Sequence, residues 1–176
     1  MNLSSLTLSL MLRSALMVAV VSGLYLWYDH AHTQAVFKRT VDNVMFAMDQ
    51  QLAAESAKTR CLHAPSRATI DTLVREGWLS QTVLDDSPWT LGMSYHETEH
   101  RRVVSKVLTL TASDDASGET LKTLGHTLPG SWRYQGRTLT LLNVVNGPAN
   151  EVDRMEYDPM TACFAWLPPT SAKENK

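Results

Sequence analysis

From Leu3 to Tyr28 the chain carries a single charged side chain, Arg13. A run this apolar must be enclosed by hydrocarbon or by other protein, and that need limits what the rest of the chain can become. Residues 14–28, SALMVAVVSGLYLWY, hold no charge. Alone they fall short of the roughly 20 residues that a helix needs to cross the hydrocarbon core. The uncharged residues 3–12, LSSLTLSLML, make up the difference. Arg13 then lies near the cytoplasmic end of the span, where its long stem reaches the headgroups. Tyr25, Trp27 and Tyr28 cluster at the other end, as an interfacial aromatic belt does. The rival is a cleaved secretory leader, but its cleavage-like steps are poor. Val21-Ser22-Gly23 sits inside the apolar run, and Ala31-His32-Thr33 ends on Thr. The expectation is a retained anchor over residues 1–29.

Two cysteines follow, Cys61 and Cys163, one at each end of the remaining sequence. No CxxC, no Cys-His metal spacing and no third cysteine accompany them. Behind a membrane segment, such a pair suits a structural disulfide in an oxidising compartment such as a bacterial periplasm, rather than two unrelated buried thiols. Closing a loop of about 100 residues contributes roughly 4–5 kcal/mol in the chain-entropy model. The disulfide also orients the anchor. Arg13 against Lys38 and Arg39 sets the charge rule only weakly, whereas a periplasmic disulfide requires the N-terminus in the cytoplasm. The expected location is the bacterial inner membrane, single-pass, with the C-terminal domain periplasmic.

Of the 176 residues, the anchor and a helical stalk over 30–60 leave one small α+β domain over 61–167 and a disordered tail over 168–176. A net charge of -2, and no basic run beyond Lys38-Arg39 and Arg101-Arg102, argue against nucleic acid as a partner.

Residues 30–58 contain neither Pro nor Gly. Phe37, Val41, Val44, Met48 and Leu52 recur at helical spacing and make one apolar stripe. Packing on the chain's own domain is the simpler expectation for it; in an assembly, the same five residues are the expected contact with partner helices. Pro65 breaks the helix, Ser66 can cap a second, and Gly77 ends it as a C′ residue. Asp85, Asp86, Ser87 and Pro88 mark a turn. Residues 89–95 and 103–111 have strand character, and a short helix over 119–128 stops at Pro129-Gly130. Residues 132–134 and 137–145 read as a hairpin turned at Gln135-Gly136, closed by Asn146-Gly147-Pro148. Residues 151–167 add a last strand that returns Cys163 to the first helix. The predicted fold is α+β: a transmembrane helix continuing into a long amphipathic helix, then a small antiparallel sheet with short helices.

His96-Glu97-Thr98-Glu99-His100 matches the H-E-x-x-H zinc motif, whose chemistry needs a helix to bring both histidines to one face. Here it lies between two predicted strands, and Glu99, Arg101 and Arg102 make it a solvated hairpin turn. A third ligand from His126, Glu151 or Asp153 would have no recognised spacing. No G-x-S-x-G, phosphate loop or Cys/His nucleophile pair is present. No catalytic residue, cofactor or metal is expected. Trp78, Trp89, Trp132, Tyr134 and Trp166 read mainly as core, with a pocket for a small apolar ligand as the alternative.

An apolar N-terminal segment running into an amphipathic helix, then a small antiparallel domain with a late cysteine, resembles the type IV pilins and pseudopilins. Residues 73–79, LVREGWL, followed by 88–95, PWTLGMSY, are similar to the helix, Gly and Pro-Trp turn into a strand of such domains. Residues 106–111, KVLTLT, with Leu121 and Leu124 in a following helix, resemble the middle of the pilin sheet region. The Gly-Phe processing site and the Glu five residues into the mature helix are absent. The resemblance therefore implies a non-processed accessory subunit rather than a major pilin. The chain is also similar to the ToxS-like periplasmic partners of membrane-bound transcription regulators. The expected function is a non-enzymatic, membrane-anchored subunit of a type IV pilus or type II secretion-like assembly, with inner-membrane proteins as partners and lipid around the anchor. The alternative is a regulator's periplasmic partner, with a small apolar ligand.

Overall fold

A computed structural model describes residues 3–128, 130–145 and 157–164, with the side chains of 3–12, 14, 15 and 26 outside the description. Helix α1 runs over Leu3–Thr59. The chain divides into two compact units, Met1–Arg39 and Thr40–Lys176.

In the second unit, α1 is followed by two short helices, α2 (Ile70–Arg75) and α3 (Gln81–Asp85), and then the strands β1 (Thr90–Glu97) and β2 (Val103–Thr111). Helix α4 (Asp115–Gly125) leads to β3 (Ser131–Gln135) and β4 (Thr138–Val144), and β5 (Tyr157–Asp158) and β6 (Cys163–Phe164) close the fold. The main sheet is antiparallel, with order β1-β2-β4-β3. From β2 the chain crosses by α4 to the far edge, lays down β3 there, and turns back at Gly136-Arg137 to place β4 between β2 and β3. Gly136 has φ +61°, which favours glycine.

Alternation along β2 sends Lys106, Leu108 and Leu110 to one face. The register sets Met93 and Leu141 beside Leu108, and Leu91 and Leu139 beside Leu110. Leu108, Leu110, Leu139 and Leu141 are buried there with Val44, Met48, Leu121 and Leu124 from the helices. The opposite face carries hydroxyls: Thr109 pairs with Thr140, and Thr111 with Thr138. This is a two-layer α+β domain, as expected.

Several boundaries differ from the sequence reading. Thr69, not Ser66, caps α2: its side chain accepts the Thr72 N–H. Gly77 is the predicted C′ residue, with φ +79° and the N–H groups of Trp78 and Leu79 both donating to the Leu73 carbonyl. Helix α3 was not expected; Ser80 caps it, accepting from Thr82 N–H. Helix α4 begins within the predicted loop, because the Asp114 carboxylate accepts the Ser117 N–H and nucleates the first turn. Pro129, residues 146–148 and the tail over 168–176 lie outside the described residues.

Among the described residues, no helix is long and apolar enough to cross a membrane. The transmembrane part of the expected fold is therefore not found there. Residues 14–28 by themselves are too few to span, and the side chains of 3–12 lie outside the description.

Candidate interaction surfaces

Two regions of α1 have opposite surfaces, and each belongs to its own unit. In the first unit, Leu16, Met17, Val18, Val20, Val21, Leu24, Tyr25, Trp27 and Tyr28 are each 53–73% exposed. At 100° per residue, Leu16, Met17 and Val18 alone point in three widely separated directions. The segment is thus apolar around its whole circumference rather than along a stripe, the pattern of a helix meant to be enclosed.

In the second unit, the stripe is already covered. Val44 and Met48 are fully buried, and Val41 and Leu52 nearly so. They cannot serve as an open contact for partner helices, because the chain's own sheet takes them up. Phe37, at the end of the first unit, is buried as well. Polar contacts fix the helix on the sheet. The buried Lys106 ammonium on β2 donates to the Asp49 carboxylate at 2.5 Å and to the Met45 carbonyl at 3.4 Å. Its cross-strand neighbour Tyr95 donates its hydroxyl to the Met48 carbonyl at 2.8 Å. Burial, reinforced by the nearby Asp49 charge, holds the Tyr95 phenol well above its ordinary pKa. Gln51, also buried, donates to Glu76 at 3.3 Å, and the Trp78 indole donates to the same carboxylate at 3.1 Å. The Lys106 ammonium and the Tyr95 hydroxyl thus tie α1 to the sheet, and the Gln51 amide ties it to the end of α2.

Cys61 and Cys163 form the expected disulfide. Around it, Leu62 N–H donates to the Ala162 carbonyl, Phe164 N–H to the Arg60 carbonyl, and Val103 N–H to the Leu62 carbonyl. The end of α1 is therefore stitched to β6 on one side and to the start of β2 on the other.

The H-E-x-x-H residues do not form a helix. His96 and Glu97 end β1, and the turn continues through Thr98 N–H donating to the Arg102 carbonyl, with Arg101 at φ +63°. Glu97 accepts the Ala64 N–H at 2.9 Å, so it fastens the segment after Cys61 rather than facing a metal. His96 and His100 are exposed.

The tryptophans divide. Trp89 is core. Trp78 walls a polar groove of about 540 Å³ between α1 and α2, with Arg67, Arg75 and Glu76. Trp132 lines a smaller cavity of about 220 Å³ with Met45, Leu128 and Leu141. Trp166 lies outside the described residues. Sequence reasoning found the aromatics but not which would stay accessible, since that depends on what the helices cover.

No protein-family profile, no curated protein and no solved structure matches this chain.

Proposed function

We propose that the chain is a non-enzymatic, membrane-anchored subunit that works by protein–protein contact in a type IV pilus or type II secretion-like assembly. The observation that carries this reading is the exposed, all-round apolar segment over residues 16–28, set in the same helix that carries a small α+β domain. Left in water, nine large apolar side chains would drive aggregation; lipid or neighbouring apolar helices remove that liability. The disulfide supports a domain on the oxidising side of the membrane. With the stripe of the second unit occupied by its own sheet, helix-to-helix contacts fall to the residues of the first unit, and contacts of the domain fall to its grooves.

A second reading rests on the cavity beside Trp132. Its mixed wall of Met45, Leu128 and Leu141 with Asp42 and Asn143 suits a small, mostly apolar ligand, as the periplasmic partner of a membrane-bound transcription regulator would need. One experiment separates the two: cross-linking of the intact chain in native membranes, then mass spectrometry of what is captured. Pilus or secretion-platform proteins support the assembly. Capture of one DNA-binding membrane regulator overturns it in favour of the second reading. Recovery of the chain from the soluble fraction overturns the anchor in both.

A further inference from the structure

The disulfide does not stand alone. A ring nitrogen of His63 and the sulfurs of Cys61 and Cys163 all lie within 4.8 Å of one another, and all three residues are half-buried. Cys61 and His63 alternate on an extended segment, so their side chains leave the same face. Each makes an isolated bridge to a different segment, Cys61 to Cys163 and His63 to Arg102.

We propose that this cluster, once its disulfide is reduced, is a binding site for a thiophilic divalent cation, with zinc(II) the ion that fits the donor set. Two thiolates and an imidazole are soft to borderline ligands; they discriminate against magnesium and calcium, which take oxygen. Zinc–sulfur bonds of about 2.3 Å and zinc–nitrogen bonds of about 2.0–2.1 Å put tetrahedral ligands roughly 3.5 Å apart. In the oxidised chain the two sulfurs are bonded to each other, so they must separate on reduction to reach that spacing. A fourth position is left to water.

Two features hold the site by contacts other than the disulfide. The backbone of residues 60–62 is held by the three hydrogen bonds to Phe164, Ala162 and Val103, none of which involves sulfur. The His63 ring is oriented by its Nε2, 2.9 Å from the Thr161 carbonyl, the kind of outer contact that fixes a metal-ligating imidazole. The Asp158 carboxylate accepts instead from the Met160 N–H and the Thr161 hydroxyl.

The chemistry balances with a dithiol as reductant. The dithiol supplies two electrons and two protons, the Sγ–Sγ bond breaks, two protein thiols form, and the reductant leaves as its own disulfide. Zinc then displaces both thiol protons and forms two Zn–S bonds and one Zn–N bond. Metal and disulfide exclude each other, yet either fastens the end of α1 to β6. The cluster is thus a cross-link with two chemical forms, one for each redox state.

The test uses the full chain in detergent, oxidised or reduced with a phosphine that is then removed, and zinc alone titrated against a chromophoric chelator. The expected result is one zinc per reduced chain and none per oxidised chain. His63→Ala should weaken binding more than about tenfold, and zinc should raise the Tm of the reduced chain only. Far-UV circular dichroism reports whether the reduced chain keeps its fold. The proposal is overturned if the folded reduced chain binds zinc no better than the oxidised one. Equal affinity in His63→Ala overturns it too, as does a reduced chain that unfolds and is not refolded by zinc.

Discussion

Lys106 is the only buried charged side chain among the described residues, 3% exposed, and its Asp49 partner is more than half exposed. Removing the acid strands an ammonium in the core; replacing the lysine with an apolar chain of like length removes the need for a partner. Asp49→Ala should therefore destabilise the domain by about 1–3 kcal/mol, while Lys106→Met should change it by about 1 kcal/mol or less. Urea unfolding of both variants checks the order, and a larger loss in Lys106→Met would mean that the ion pair is itself stabilising. Tyr95 predicts an alkaline limit. Its folded pKa is raised by burial and by Asp49, so its contribution is complete below the unfolded value of about 10 and is lost as pH rises beyond it. Melts between pH 9 and 11 should show stability falling more steeply in the wild type than in Tyr95→Phe. At this scale the H-E-x-x-H residues show how little a motif means without its element: the same five residues in a β-turn hold a backbone N–H.

Helix α4 rests on the sheet through two glycines seven residues apart. A Cβ on Gly118 would meet the Tyr134 hydroxyl at 2.7 Å, and one on Gly125 would meet Leu139 Cδ1 at 2.9 Å, with Trp132 close behind. Leu121 and Leu124 are buried between them. Helix propensity favours Gly→Ala by up to about 1 kcal/mol, but the contact with the fully buried Leu139 cannot give without repacking. Gly125→Ala should therefore destabilise by about 1–3 kcal/mol; a variant as stable as the wild type would show that α4 can slide away from β4. The start of α4 escaped sequence reasoning because Asp114 followed by Asp, Ala and Ser resembles a loop until its carboxylate is seen to cap. The Ser117 N–H, and then its hydroxyl, hold that carboxylate below its ordinary pKa. The cap is complete above about pH 4 and is lost as pH falls through the lowered value.

For the whole molecule, the disulfide closes a separation of 102 residues, which takes in the entire main sheet. The double variant Cys61→Ser/Cys163→Ser, kept free of metal, should lose about 2–4 kcal/mol, read as a lower urea midpoint. No change would mean that the unfolded chain is already as compact without the link. The same variant cannot bind zinc at the proposed cluster, so a zinc-dependent rise in its Tm would place the metal elsewhere.

What the sequence determined by itself is local or periodic. The helical spacing of Val41, Val44, Met48 and Leu52 specifies a helix with one apolar side, the alternation over residues 103–111 specifies a strand, and Gly77 and Gly136 mark positions that favour positive φ. A lone cysteine pair admits one intramolecular partner for each. The tertiary structure alone decided what lies across each surface. It gave the stripe to the chain's own sheet, put Lys106 in the core beside Asp49, left Trp78 and Trp132 lining cavities while burying Trp89, and brought His63 to the disulfide. Those outcomes depend on pairings dozens of residues apart. Side-chain type and spacing fix a residue's own conformation and direction, but not its neighbour across the core.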